Sequence, residues 1–130
     1  SHRGGLGGSG QIVVLEMESL ASSASSTLVS DTFTANSTPS KARLVVFADI
    51  SDDLNTDITA SVTRDNTNFD AVTLVDEGYV TGSSGTKIFT GSTPLTGAAP
   101  GQPQVQLRWK IVGSNQTAEN KIHGVALQWK

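Results

Sequence analysis

Two groups of side chains in this sequence carry enough oxygen to do chemistry. Asp65, Asn66, Asn68 and Asp70 crowd carboxylate and amide oxygens into six residues. Calcium favours oxygen ligands in flexible loops, so Asp65, Asn68 and Asp70 are calcium candidates. The run lacks the glycine and the closing Glu of an EF-hand loop. Asp and Asn also cap tight turns by bonding to nearby backbone, and a capped hairpin turn is the favoured expectation here. Asp49, Asp52, Asp53 and Asp57 form the second group, expected as a solvated loop with the same metal alternative behind it. No cofactor is expected.

The remaining reactive types are sparse. With no Cys in the chain, disulfides, thiol catalysis and Cys-ligated zinc are excluded. His123 falls in phase with Val125, Leu127 and Trp129, which predicts a core histidine rather than a base or ligand. No nucleophile elbow is present, so no catalytic residues are assigned and a non-enzymatic protein is expected. Trp109, Trp129 and Tyr79 could stack on sugar rings. Both tryptophans alternate with aliphatic residues and are expected in the core. Tyr79, beside Gly78 and the Gly/Ser loop 81–85, is the ligand-binding candidate.

The elements that must position these residues read as strands. In Asn55–Leu74, Ile58, Ala60 and Val62 alternate with Thr59, Ser61 and Thr63, which sets an apolar row against a hydroxyl row. Arg64–Asn68 interrupts this with turn-tolerant residues, and Val72 and Leu74 resume it. The pattern is a long β-hairpin whose apolar row needs a partner sheet.

Further strands are expected at Gln11–Met17, Thr27–Thr34, Ala42–Ile50, Tyr79–Val80, Thr86–Thr90, Pro103–Val112 and Lys121–Trp129. Residues 18–27 read as a serine-rich loop, and Asp76–Gly78 as a turn. The unbroken Leu44–Phe47 run predicts a strand covered on both faces. The odd spacing of Leu28 and Phe33 predicts a bulge or two short pieces. Gly124 predicts a bulge or a close backbone approach in the last strand. About eight strands with no helical pattern give an all-β, antiparallel β-sandwich, jelly-roll-like, with a Greek-key or up-and-down barrel as the alternative.

Residues 1–10 form a glycine-rich linker or tail, and 11–130 a single domain. The chain opens on Ser, so a fragment, a processed product or the remnant of a tag is expected. Net charge is -3 and 16% of residues are charged, which leaves no basic footprint for nucleic acid or a membrane surface. Apolar runs are too short for a membrane helix.

Five motifs in order resemble a known family. They are Asn55-Thr56-Asp57, Thr63-Arg64-Asp65, Pro100-Gly101-Gln102-Pro103, Arg108-Trp109-Lys110-Ile111, and Ile122-His123-Gly124-Val125 with Leu127 and Trp129. Together they resemble a C-terminal β-domain of structural and tail-fibre proteins of tailed bacteriophages, marine and cyanobacterial phages especially. The resemblance covers about residues 30–130. It departs at Asn66–Phe69, where the family has Gly-Gly-Thr-Thr, and at Trp109, where it has Tyr.

The resemblance implies a virion component on the tail or capsid exterior, such as a tail fibre, spike or capsid decoration. It implies no catalytic residues. Other virion proteins are the expected partners, in a homo-oligomer that is a trimer at a fibre tip, with host-surface glycan a further partner. The alternative function is a carbohydrate-binding module of a larger enzyme or adhesin.

Overall fold

The computed structural model describes residues 10–14, 18–20, 25–82, 85–117 and 120–130, with side chains from residue 26 onward. Of the expected tail (1–10), Gly10 instead opens the first strand, and residues 1–9, the end of the first expected strand (15–17), and residues 21–24, 83–84 and 118–119 lie outside the described residues. The described chain is all β, with no helix.

One sheet holds β1 (Gly10–Val14), β2 (Glu18–Leu20), β5 (Lys41–Asp49), β8 (Val75–Tyr79), β9 (Lys87–Pro94) and β11 (Asn120–Trp129). Its order is β1-β11-β5-β9-β8, with β2 also on β11. The other holds β3 (Ser25–Val29), β4 (Phe33–Thr34), β6 (Ile58–Thr63), β7 (Phe69–Val72) and β10 (Gln106–Ser114). Its order is β3-β10-β6-β7, with β4 also on β10. Every named pairing is antiparallel. The sheets are separate, each with its own edges, so the fold is a β-sandwich and not a closed barrel.

The core lies between the sheets and follows the period-two pattern. β5 contributes Leu44 and Val46, β6 Ile58 and Val62, β10 Leu107 and Ile111, and β11 Val125 and Leu127, all at 2% exposure or less. Each such side chain contributes roughly 1.5–3 kcal/mol through burial. Trp109 and Trp129 join this core as expected. The hairpin β6–β7 forms with Ala60 opposite Val72, and Val72 and Leu74 are buried.

Several expectations are corrected. Within the expected serine-rich loop 18–27, Glu18–Leu20 forms β2 and Ser25–Thr27 begins β3, while residues 21–24 lie outside the described residues. The expected second strand is two short pieces, β3 and β4, both paired to β10, which is one of the two outcomes that the spacing of Leu28 and Phe33 predicts. Asp76–Gly78 lies within β8, where the register shifts between Asp76 and Tyr79 and Gly78 takes a φ of +99°. On β5 the outer residues Val45 and Phe47 are half-buried rather than covered. No helix lies over this face among the described residues, and its shelter comes from cross-strand neighbours such as Ala126 and Ile88.

The bulge in β11 falls between Ile122 and Gly124. The extra residue reverses the phase, so Ile122 faces the core before it and Val125, Leu127 and Trp129 after it. His123 is therefore carried to the outer face and is not a core residue.

Candidate functional site

The hairpin turn between β6 and β7 is built around one carboxylate. Asp65 is fully buried. Its Oδ1 accepts from Thr63 Oγ1 (2.9 Å), Thr67 N (2.9 Å) and Asn68 N (2.7 Å). Its Oδ2 accepts from Asn68 Nδ2 (2.8 Å) and Ala99 N (2.9 Å). Burial opposes the charge on Asp65, but the N–H groups of Asn68, Thr67 and Ala99 outweigh it and hold the carboxyl well below the usual carboxylate range. These donors occupy both oxygens, so Asp65 acts as a hub for two loops and has little capacity left for a cation.

The neighbours of Asp65 follow the same logic. Arg64 donates from Nε to Gly97 O (2.8 Å) and from Nη1 to Pro39 O (2.9 Å). A Cβ on Gly97 would lie 2.7 Å from the Asp65 carboxyl, so glycine is needed there for close approach. Asp70 Oδ1 accepts from Thr96 Oγ1 (2.7 Å), and its Oδ2 accepts from Thr96 N (3.0 Å). Asp65 and Asn68 thus meet each other, whereas Asp70 is engaged with the 94–97 segment. The capped turn is what the geometry presents at the calcium candidates.

A second hub serves the other acidic group. Asn120 is fully buried. Its Oδ1 accepts from Ser51 N (2.8 Å) and Asp52 N (3.3 Å), and its Nδ2 donates to Asp52 Oδ2 (2.8 Å) and Gln116 Oε1 (2.9 Å). Asp52 Oδ1 accepts from Thr117 N (3.1 Å) and Oγ1 (2.7 Å). Asp53 and Asp57 close a turn in which the N–H groups of Asp57 and Ile58 donate to Asp53 O. No group of three or more His, Asp or Glu side chains arranged for a metal occurs among the described residues.

His123 meets Asp49 on the outer face, with Nε2 3.1 Å from Oδ2. At this distance the two side chains form an ion pair when the ring carries a positive charge. Burial works against the Asp49 charge, and its contacts with His123 and Thr86 overcome it and lower its pKa.

Tyr79 is 67% exposed near the end of the edge strand β8. Lys87 Nζ sits 4.9 Å from its ring centre and 2.8 Å from Asp76 Oδ2. One face of the ring is thus shared with a cation, and the rest is open to a partner.

Sequence reasoning missed one concave surface. A groove of about 320 Å³ lies at the ends of β5, β9 and β11, lined by Lys41, Arg43, Ser92, Gln128, Trp129 and Lys130. The alternation Lys41-x-Arg43 was visible as a basic row on one face of β5. Its juxtaposition with Lys130 depends on the β5–β11 register, which no local pattern states.

No protein-family model matches the chain, and no curated protein sequence matches it.

Proposed function

We propose that this chain is a non-enzymatic domain of a bacteriophage virion. It is carried on a tail fibre or spike, or decorates the capsid exterior, and works through protein–protein assembly and attachment to the host surface. The support is where the motif residues go. Asn55 bonds the backbone of Leu74, Arg64 and Asp65 tie the loops at one end of the sandwich, and Trp109 and Leu127 fill the core. The residues that carry the phage resemblance are thus framework, and a domain whose distinctive polar groups hold its own loops offers shape rather than reactivity.

The strand orders support a jelly-roll winding. β1-β11-β5-β9 and β3-β10-β6-β7 interleave early and late strands in two sheets, as two Greek keys do. This architecture recurs in viral capsid and lectin domains, an analogy of fold alone. Closed symmetry is the usual state of repeated virion parts, and a trimer is the form that suits a fibre tip. The exposed Tyr79 favours a second reading, a carbohydrate-binding module, but buried Trp109 and Trp129 leave it without a row of aromatic platforms.

An electron-microscopy reconstruction of the source particle tests this. Density for this fold at the distal end of a tail appendage makes attachment its role, and density on the shell makes it a decoration. A particle that lacks the chain overturns the proposal.

A further inference from the structure

We propose that the groove at the ends of β5, β9 and β11 binds a carboxylate-bearing sugar, with Arg43 as the carboxylate contact and Lys41 and Lys130 as flanking cations. Its role rests on the attachment reading; its chemistry rests on four observations.

The first is clustered side-chain charge. Lys41 and Lys130 are directly opposed, with Lys130 N donating to Lys41 O (3.1 Å) and Lys41 N to Lys130 O (3.2 Å). Arg43 is two residues along the same face of β5, opposite Gln128. Like charges directly opposite across strands repel. No Asp or Glu side chain lines the groove, and none of the three cations is in an ion pair among the described residues. Three of the nine Lys and Arg residues of a net-negative chain meet here. An anion relieves the repulsion that the fold itself leaves in place.

The second is the guanidinium. Arg43 holds one long bond, from Nη1 to Gln128 Oε1 at 3.3 Å. Its remaining donors form the planar fork that matches a carboxylate in two parallel hydrogen bonds.

The third is the lining. The Ser92 hydroxyl and the Gln128 amide both donate and accept, as sugar hydroxyls require. Ala42 and Trp129 turn their side chains into the core, so the groove wall between the charged side chains is main chain and polar groups. The main-chain oxygen of Lys130 is turned away toward Ser40 N (2.8 Å) and Lys41 N.

The fourth is scale. The groove's volume of about 320 Å³ falls in the range of small-molecule sites. Three cations in one groove of a chain with net charge -3 are too few to track a nucleic-acid backbone.

The test is calorimetric titration of the full chain at pH 7 and low salt with three probes: trigalacturonate, its methyl ester and inorganic phosphate. The free acid is expected to bind and the neutral ester to bind roughly tenfold more weakly or not at all, and phosphate, which offers Ser92 and Gln128 no sugar hydroxyls, to bind more weakly than the acid. Arg43→Gln is expected to weaken the acid by a similar factor, with the melting temperature unchanged because Arg43 is exposed. Equal affinity for acid and ester overturns the proposal. Phosphate binding as tight as the uronate makes the groove a general anion site and overturns the sugar assignment.

Failure of all three probes overturns the site as well. Adsorption of the fluorescent domain to host cells separates this from the attachment reading. Adsorption undiminished in Arg43→Gln removes the groove and leaves attachment standing, whereas a domain that never adsorbs removes attachment itself.

Discussion

Asn55 holds Leu74 by both of its backbone groups. The Asn55 Nδ2 donates to Leu74 O at 2.8 Å, and Leu74 N donates to Asn55 Oδ1 at 2.8 Å. A side-chain amide thereby replaces a strand neighbour just past the end of β7. Asn55 itself sits at φ +66°, a region that Asn tolerates better than most residues.

Asn55→Ala removes both bonds and keeps the left-handed backbone, and is expected to cost about 2–3 kcal/mol. Asn55→Gly loses the bonds but relaxes the backbone, so it should cost less than the alanine variant. Urea unfolding of the three proteins checks the order. A glycine variant less stable than alanine would show that the φ contributes nothing.

Asp65 makes stability depend on acidity. Its folded pKa lies below its ordinary value of 3.8. Its contribution is therefore fully present above that value and is lost as pH falls below it toward the folded pKa. Asp65→Asn is expected to cost about 3 kcal/mol at pH 7, because donors aimed at a carboxylate then face an amide. The gap between wild type and variant should narrow below about pH 4. Denaturation curves from pH 7 to 2 decide it, and parallel profiles would refute the assignment.

Gly97→Ala drives a methyl group into the Asp65 carboxyl. The expected cost is about 1–3 kcal/mol from overpacking. The Asp65→Ala background removes the obstacle, so the double variant should be more stable than the sum of the single losses predicts. Strict additivity would place the strain elsewhere.

Tyr79→Ala should leave thermal stability within about 0.5 kcal/mol of wild type, since its ring is mostly in solvent. The variant is thus a clean probe of attachment. Reduced adsorption to host cells at unchanged melting temperature would assign the ring to a partner, and a large drop in melting temperature would assign it to the fold.

What was legible in the residues followed from strict alternation. Ile58, Ala60 and Val62 on β6, and Leu107, Trp109 and Ile111 on β10, alternate without interruption, and their burial follows directly. His123 was misread because the bulge between Ile122 and Gly124 adds one residue and reverses the phase upstream of it. The role of Asp65 was half legible. Its bonds to Thr67 and Asn68 are local, but those to Ala99 N and the close approach of Gly97 come from a distant loop. The Lys41–Lys130 juxtaposition depends wholly on strand register between chain-distant elements.

The irregularity of β8 also bears on how closely such domains can be crowded. This edge strand carries a register shift, a glycine at φ +99° and a Lys87–Asp76 pair. The shift and the glycine interrupt the row of backbone donors and acceptors that a neighbouring chain would need in order to extend the sheet, and the pair sets charge beside it. The far edge of the opposite sheet, β7, is only four residues long. These two edges are therefore poor templates for fusing sheets into an amyloid-like ribbon when copies stand shoulder to shoulder at high local concentration.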